Sequence, residues 1–174
     1  MDRITIIPGD LAEADFGVDA KVLDDLADTI DGIVHSGAEV NWLAPYAQLK
    51  PANVLGVETI IRLAARHSIP LHYVSSLAVY PIMGASEARI LDETSALEQD
   101  GVLYGGYAQS KWVAEKLVAS AAERGLPVMI YRPSLITGDS VTGVWQPDSV
   151  IANMLRSWAE LGIAPDLDAD FDLV

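Results

Sequence analysis

Cysteine is absent from the 174 residues, which excludes a disulfide framework, a thiolate metal site and a cysteine nucleophile. Histidine is nearly as scarce: His35, His67 and His72 are scattered, without the spacing that would let them share a metal ion. No metal is expected. Positive charge is also short, with 11 Lys and Arg against 25 Asp and Glu, a formal net charge of −14. A surface of that sign repels a polyphosphate backbone, so nucleic acid is not an expected partner. Long apolar runs are missing as well. Segments such as VMIY and TIIRLAA fall far short of the ~20 residues that span a bilayer, and no charged-then-apolar leader opens the chain. The expectation is a soluble, cytoplasmic protein with no membrane partner.

What is present is a globular composition, 51% apolar with a mean hydropathy of +0.25. That suffices for one sizeable core and the beginning of a second domain. The acidic surplus lies in DLAEAD, DDLADTID, EARILDETSALEQD and DLDADFD, between or beyond the apolar runs, where solubility is its simplest role.

The apolar runs alternate in kind. RITIIP (3–8), GIVH (32–35), LHYVSS (71–76) and PVMIYRP (127–133) are short, β-branched and closed by turn residues, as buried strands are. Between them, Val22, Leu23, Leu26 and Ile30 recur at helical spacing, as do Val54, Val57, Ile60, Ile61 and Ala64, with Pro51 expected in that helix's first turn. YGGYAQSKWVAEKLVASAAERG predicts a long helix stopped at Gly125. Pro147, Asp148 and Ser149 offer a cap for a last helix with an apolar stripe of Ile151, Met154, Leu155 and Trp158. The acidic connection from Pro81 to about Gly101 is longer than most, and long loops carry function or disorder. Strands alternating with helices indicate an α/β fold, a doubly wound parallel sheet with both faces covered. In such sheets ligands bind beyond the carboxyl ends of the strands, where SGA, SS and RPS all fall.

Two of those features could do chemistry. YAQSK sets Tyr107 and Lys111 four apart, on one helix face. An ammonium beside a phenol favours the phenolate, bringing a group of pKa about 10 toward proton exchange at neutral pH. A lone YxxxK is often a solvated face, and a serine at a strand end is often a turn cap. Ser76 on a neighbouring strand end changes the weighing, because its hydroxyl could bond the carbonyl oxygen that Tyr107 protonates.

SSLAVY, YAQSK, the helix segment NVLG and YRPSLITG together resemble the extended short-chain dehydrogenase/reductases. Within that superfamily, HSGAEVNWLAPYAQLKPANVLG, GGYAQSKWVAEKLV and RPSLITGDSVTG are similar to the thioester reductase domains that end nonribosomal peptide synthetases and carboxylic acid reductases. The resemblance covers nearly the whole chain. It implies a partial Rossmann-type, three-layer αβα fold, with 1–145 an incomplete NAD(P)-binding domain and 146–174 the start of a substrate-binding domain. It makes Tyr107 the proton donor, Lys111 the group that lowers its pKa and holds the nicotinamide ribose, Ser76 the oxyanion partner and Asn53 a supporting catalytic residue. Ser76 is preferred to Ser75 because it lies four before Tyr80 of the Val79–Tyr80 pair. Cofactor contacts are implied for Asp10 and Leu11 near the adenine, for Ser36, Gly37 and Ala38 beneath the dinucleotide, and for Tyr131, Pro133, Ser134 and Ile136 beside the nicotinamide. Local alternatives remain: a helix cap for Asn53, a turn for Asp10, a surface charge for Arg132.

The implied reaction is NADPH-dependent reduction of an acyl or peptidyl thioester on the phosphopantetheine of a carrier protein, giving an aldehyde or, after a second hydride, an alcohol; NADH is an open alternative. Other readings are a fatty acyl-CoA reductase or sugar-nucleotide epimerase with the same three residues, and a catalytically silent interaction module. The family's Gly-rich phosphate loop has no counterpart here, since no G-x-G-x-x-G or near variant occurs. RITIIP then corresponds to the family's third strand, and the chain is expected to be a fragment lacking an N-terminal half that binds pyrophosphate.

Overall fold

The computed structural model describes residues 3–81, 91–97, 102–147 and 149–166. Its chain divides into two compact units, Met1–Arg132 and Pro133–Val174. The division falls ahead of the boundary expected after residue 145.

In the first unit, helix α1 (Ala20–Thr29) starts where the Asp19 carboxylate accepts the Lys21 N–H. It leads to β1 (Ile33–His35), and β2 (Leu71–Val74) and β3 (Val128–Tyr131) complete a parallel sheet of order β1-β2-β3. The register sets Ile33 beside Leu71 and His35 beside Tyr73, then Leu71 beside Val128 and Tyr73 beside Ile130. Side chains alternate across a strand, so these residues share one face. Against that face pack Leu23 and Ala27 of α1, Val57, Ile60, Leu63 and Ala64 of α3 (Gly56–Ala65), and Ala114 and Val118 of α4 (Gly105–Glu123). Each fully buried Leu or Val contributes about 1.5–3 kcal/mol. The α/β Rossmann-type reading holds. Of its three layers, the described residues of this unit show two: Val34, Met129 and Tyr131 on the opposite sheet face stay exposed.

RITIIP is not a strand. Residues 3–10 have no regular structure, and Ile4 and Ile6 are 79% and 85% exposed. A strand needs a neighbour to take its N–H and C=O groups, and among the described residues RITIIP has none. The helix containing Val54 also begins earlier than expected. α2 (Tyr46–Lys50) runs through a π turn (Pro51–Leu55) into α3, so Pro51 sits inside a helical stretch. Proline removes an N–H and crowds the carbonyl four residues back, and widening the turn to π geometry relieves both.

The predicted long helix is α4, released by Gly125 at φ +99°. In the second unit, α5 (Val150–Leu161) is capped by Ser149, which accepts the Ala152 N–H at 3.1 Å, and closes at the left-handed Gly162. Of its expected stripe, Met154 and Leu155 are exposed and Ile151 and Trp158 half-buried, and no residue of the helix is fully buried. Asp148, most of the Pro81–Gly101 connection and the acidic end beyond Asp166 lie outside the described residues. Among the described residues, no helix is long and apolar enough to cross a membrane.

Candidate active site

At the carboxyl end of β2 the two serines part company. Ser75 is buried; its N–H donates to the Tyr131 carbonyl at 2.7 Å and its hydroxyl donates to Glu115 Oε2. Ser76 caps the short 3-10 turn Leu77–Val79, its Oγ accepting the Ala78 N–H at 3.1 Å, and lies near enough to Tyr107 to influence the phenol's pKa.

α4 brings Tyr107 and Lys111 to this point on its sheet-facing side. That side is polar near the helix start (Tyr107, Ser110, Lys111, Glu115) and apolar farther on (Ala114, Val118). Gly106 lets the start of α4 approach the preceding loop: a Cβ there would stand 2.4 Å from both Ala44 O and Tyr46 N. The same loop lays Trp42 against Tyr107, ring centroids 5.0 Å apart.

Lys111 is 3% exposed. Its Nζ donates to the Val74 carbonyl at 2.7 Å and lies 4.6 Å above the Tyr73 ring centroid. Burial lowers its pKa to about 8, against the opposing pull of Glu115. Burial raises the pKa of Tyr107, and the nearby Ser76 hydroxyl opposes the rise. The expected drift of Tyr107 toward phenolate is thus reversed. Desolvation disfavours the anion, and Lys111 directs its contacts to Val74 and Tyr73. A phenol that keeps its proton at neutral pH is a donor.

Asn53 is fully enclosed in the π turn and does not join these three. Its Oδ1 accepts the Glu39 N–H at 2.7 Å, and its Nδ2 donates to Glu39 O and to Ser110 Oγ, both at 3.0 Å. Ser110 in turn donates to the Tyr107 carbonyl at 2.8 Å. Asn53 therefore ties the turn after β1 to α4.

The proposed cofactor residues divide. Leu11 lies over the Ser36–Gly37–Ala38 turn, since a Cβ on Gly37 would stand 2.9 Å from Leu11 Cδ1. Asp10 closes a local turn, its carboxylate accepting the Ala12 N–H at 2.8 Å. Tyr131 faces away from Lys111: its neighbour in register is Val74, its ring stacks on His72, and its hydroxyl meets His72 Nδ1 at 2.7 Å. Alternation along β3 sends Tyr131 to the exposed face. Pro133, Ser134 and Ile136 belong to the second unit.

Sequence reasoning missed Glu115 and set Arg132 aside as a surface charge. Arg132 instead bonds Glu115 Oε1 through Nε at 2.8 Å and is paired with it at 2.7 Å through its second terminal nitrogen. The available signal was spacing, because Glu115 follows Lys111 by four residues just as Lys111 follows Tyr107.

Residues 1–174 match the model of an NAD-binding family described as male sterility protein. The chain belongs to that family. It is a family of oxidoreductases of the extended short-chain dehydrogenase/reductase type, as SSLAVY and YAQSK led one to expect. A linear gramicidin synthase of Brevibacillus parabrevis is 43% identical over 173 residues, 99% of this chain and 3% of that protein. The solved terminal R domain of the myxalamid PKS-NRPS pathway is 46% identical with a TM-score of 0.90, over 96% of this chain and 42% of that one. A thiolation-reductase di-domain from an archaeal nonribosomal peptide synthetase is 27% identical with a TM-score of 0.71, over 92% of this chain and 42% of that one. The chain thus spans well under half of these relatives.

Proposed function

We propose that this chain carries the proton-donating half of a reductase site that converts a carrier-bound acyl or peptidyl thioester to an aldehyde, with NADPH as hydride donor. The observation that carries the reading is the placement of Ser76 at the carboxyl end of β2 beside Tyr107, with Lys111 one helical turn beyond Tyr107. Two neighbouring hydroxyls can both donate to one carbonyl oxygen, and so hold the oxyanion that forms as the carbonyl is reduced. Tyr107, kept protonated by burial, is placed to deliver the proton.

The donor set fits the nicotinamide end of a dinucleotide. A lysine ammonium has three N–H donors, and Lys111 gives one to Val74, leaving two for ribose hydroxyls. When bound, the nicotinamide supplies the hydride; this chain orients the carbonyl and supplies the proton. The pyrophosphate end finds no Gly-rich loop in the sequence. The reading therefore assigns activity to a polypeptide that joins this chain to the rest of a reductase domain. The resemblance to the R domain supports it, as does the di-domain, in which a thiolation domain accompanies a reductase.

The test is NADPH oxidation by that polypeptide with an acylated phosphopantetheinyl carrier, and NADH run in parallel. Tyr107→Phe is expected to lower turnover by ~10²–10⁴-fold, the usual contribution of a positioned acid. Undiminished turnover in that variant would remove Tyr107 from the mechanism and the proposal with it.

A further inference from the structure

Glu115 is 1% exposed, and both its oxygens are committed. Oε1 is gripped by Arg132 through two nitrogens, and Oε2 accepts the Ser75 hydroxyl. Arg132 closes β3 and donates through its other terminal nitrogen to the Tyr80 hydroxyl at 2.7 Å, which donates to Ser95 O at 2.8 Å. Burying such an ion pair is no efficient route to stability, since an apolar pair of similar volume commonly does as well or better. Its placement suggests another role. α4 sets Glu115 one turn from Lys111, and Ser75 adjoins both Val74, whose carbonyl holds Lys111, and Ser76.

We propose that Glu115 is a positioning residue: anchored by Arg132 and Ser75, it locks the end of β2 against α4 and keeps a negative charge beside Lys111, so that Lys111 works as a cation. The inference rests on the reductase reading of Lys111 given above. The groups facing Lys111 are Tyr107 and Glu115 from its own helix, Tyr73 from β2 and His35 from β1. Burial keeps both phenols protonated, and His35 is neutral near pH 7 because burial, aided by Lys111, lowers its pKa to about 4. Glu115 is thus the anion among them.

The chain has four lysines, Lys21, Lys50, Lys111 and Lys116. Labelling lysine Cε with carbon-13 and titrating the chain by NMR reads each ammonium directly, with Lys111→Met assigning the buried signal. In Glu115→Gln the Lys111 midpoint is expected to fall by about one unit, the size of a close opposite charge. Glu115→Asp, which keeps the charge, should hold it near the parent value. A merely structural role predicts the opposite sign, because a loosened core rehydrates Lys111 and lifts it toward the ordinary 10.5. An unmoved or raised midpoint in Glu115→Gln overturns the proposal. Should that variant fail to fold, Glu115→Gln with Arg132→Met removes both charges, and a fall is required of it too, smaller than in the single variant because the repulsion of Arg132 is also gone. The titration needs no turnover: an unmoved Lys111 with Tyr107-dependent activity overturns this inference alone, and a lowered midpoint without reductase activity upholds the coupling and removes the reductase reading.

Discussion

His35 stands at the end of β1 with its ring on Tyr73, centroids 6.0 Å apart, and its Nε2 buried without a hydrogen-bond partner among the described residues. Burial, with Lys111 nearby, lowers its pKa from 6.5 to about 4. As pH falls through 6.5 the unfolded chain takes the proton first, so the stability that comes from keeping His35 neutral is full above 6.5 and is lost between about 6.5 and 4. The loss should approach about 3 kcal/mol. Urea unfolding at pH 7 and pH 4.5 checks it: His35→Gln should shrink the difference between the two, and an unchanged difference would assign the acid sensitivity to carboxylates. At this scale the sequence was partly legible. Tyr107, Lys111 and Ser76 were readable because two share a helix face and the third ends a strand. Glu115 and Arg132 were not, since only pairing across 17 residues turns two ordinary charges into one buried contact.

Among the elements, the junction between α4 and the loop before α2 decides most. Gly106 is its contact point, and the atoms a Cβ would strike belong to backbone that cannot rotate aside. Alanine gains about 1 kcal/mol in helix propensity, but overpacking of this kind costs about 1–3 kcal/mol or more. The crowding is expected to win. Gly106→Ala should lower the urea midpoint and disturb Trp42 against Tyr107, seen as a changed tryptophan emission; a midpoint equal to or above the parent's would show that the loop yields freely. The 46–65 helical stretch shows why spacing alone fell short. Periodicity located its apolar face correctly, but Pro51 reads as a first-turn residue until the π turn is seen to absorb it. That turn is also what carries Asn53 to Glu39 and Ser110.

For the whole molecule, the exposed sheet face and a RITIIP segment without a strand partner among the described residues accompany a sequence with no G-x-G-x-x-G loop. The 174-residue chain is expected to bind NADPH more weakly than the low-micromolar range, measurable by calorimetry or by quenching of its four tryptophans. Low-micromolar binding would mean that the nicotinamide end suffices. The sequence by itself determined the α/β class and the order of helices and strands from α1 onward, because periodicity, turn chemistry and spacing along one helix are local properties. Only the tertiary structure decided the rest. It showed that RITIIP has no strand partner among the described residues, that Tyr131 turns away from Lys111, that burial raises rather than lowers the Tyr107 pKa, and that Glu115 pairs with Arg132 one helical turn from Lys111. Each depends on which surfaces exclude water and which distant groups meet, and register and burial are set only when the sheet and α4 come together.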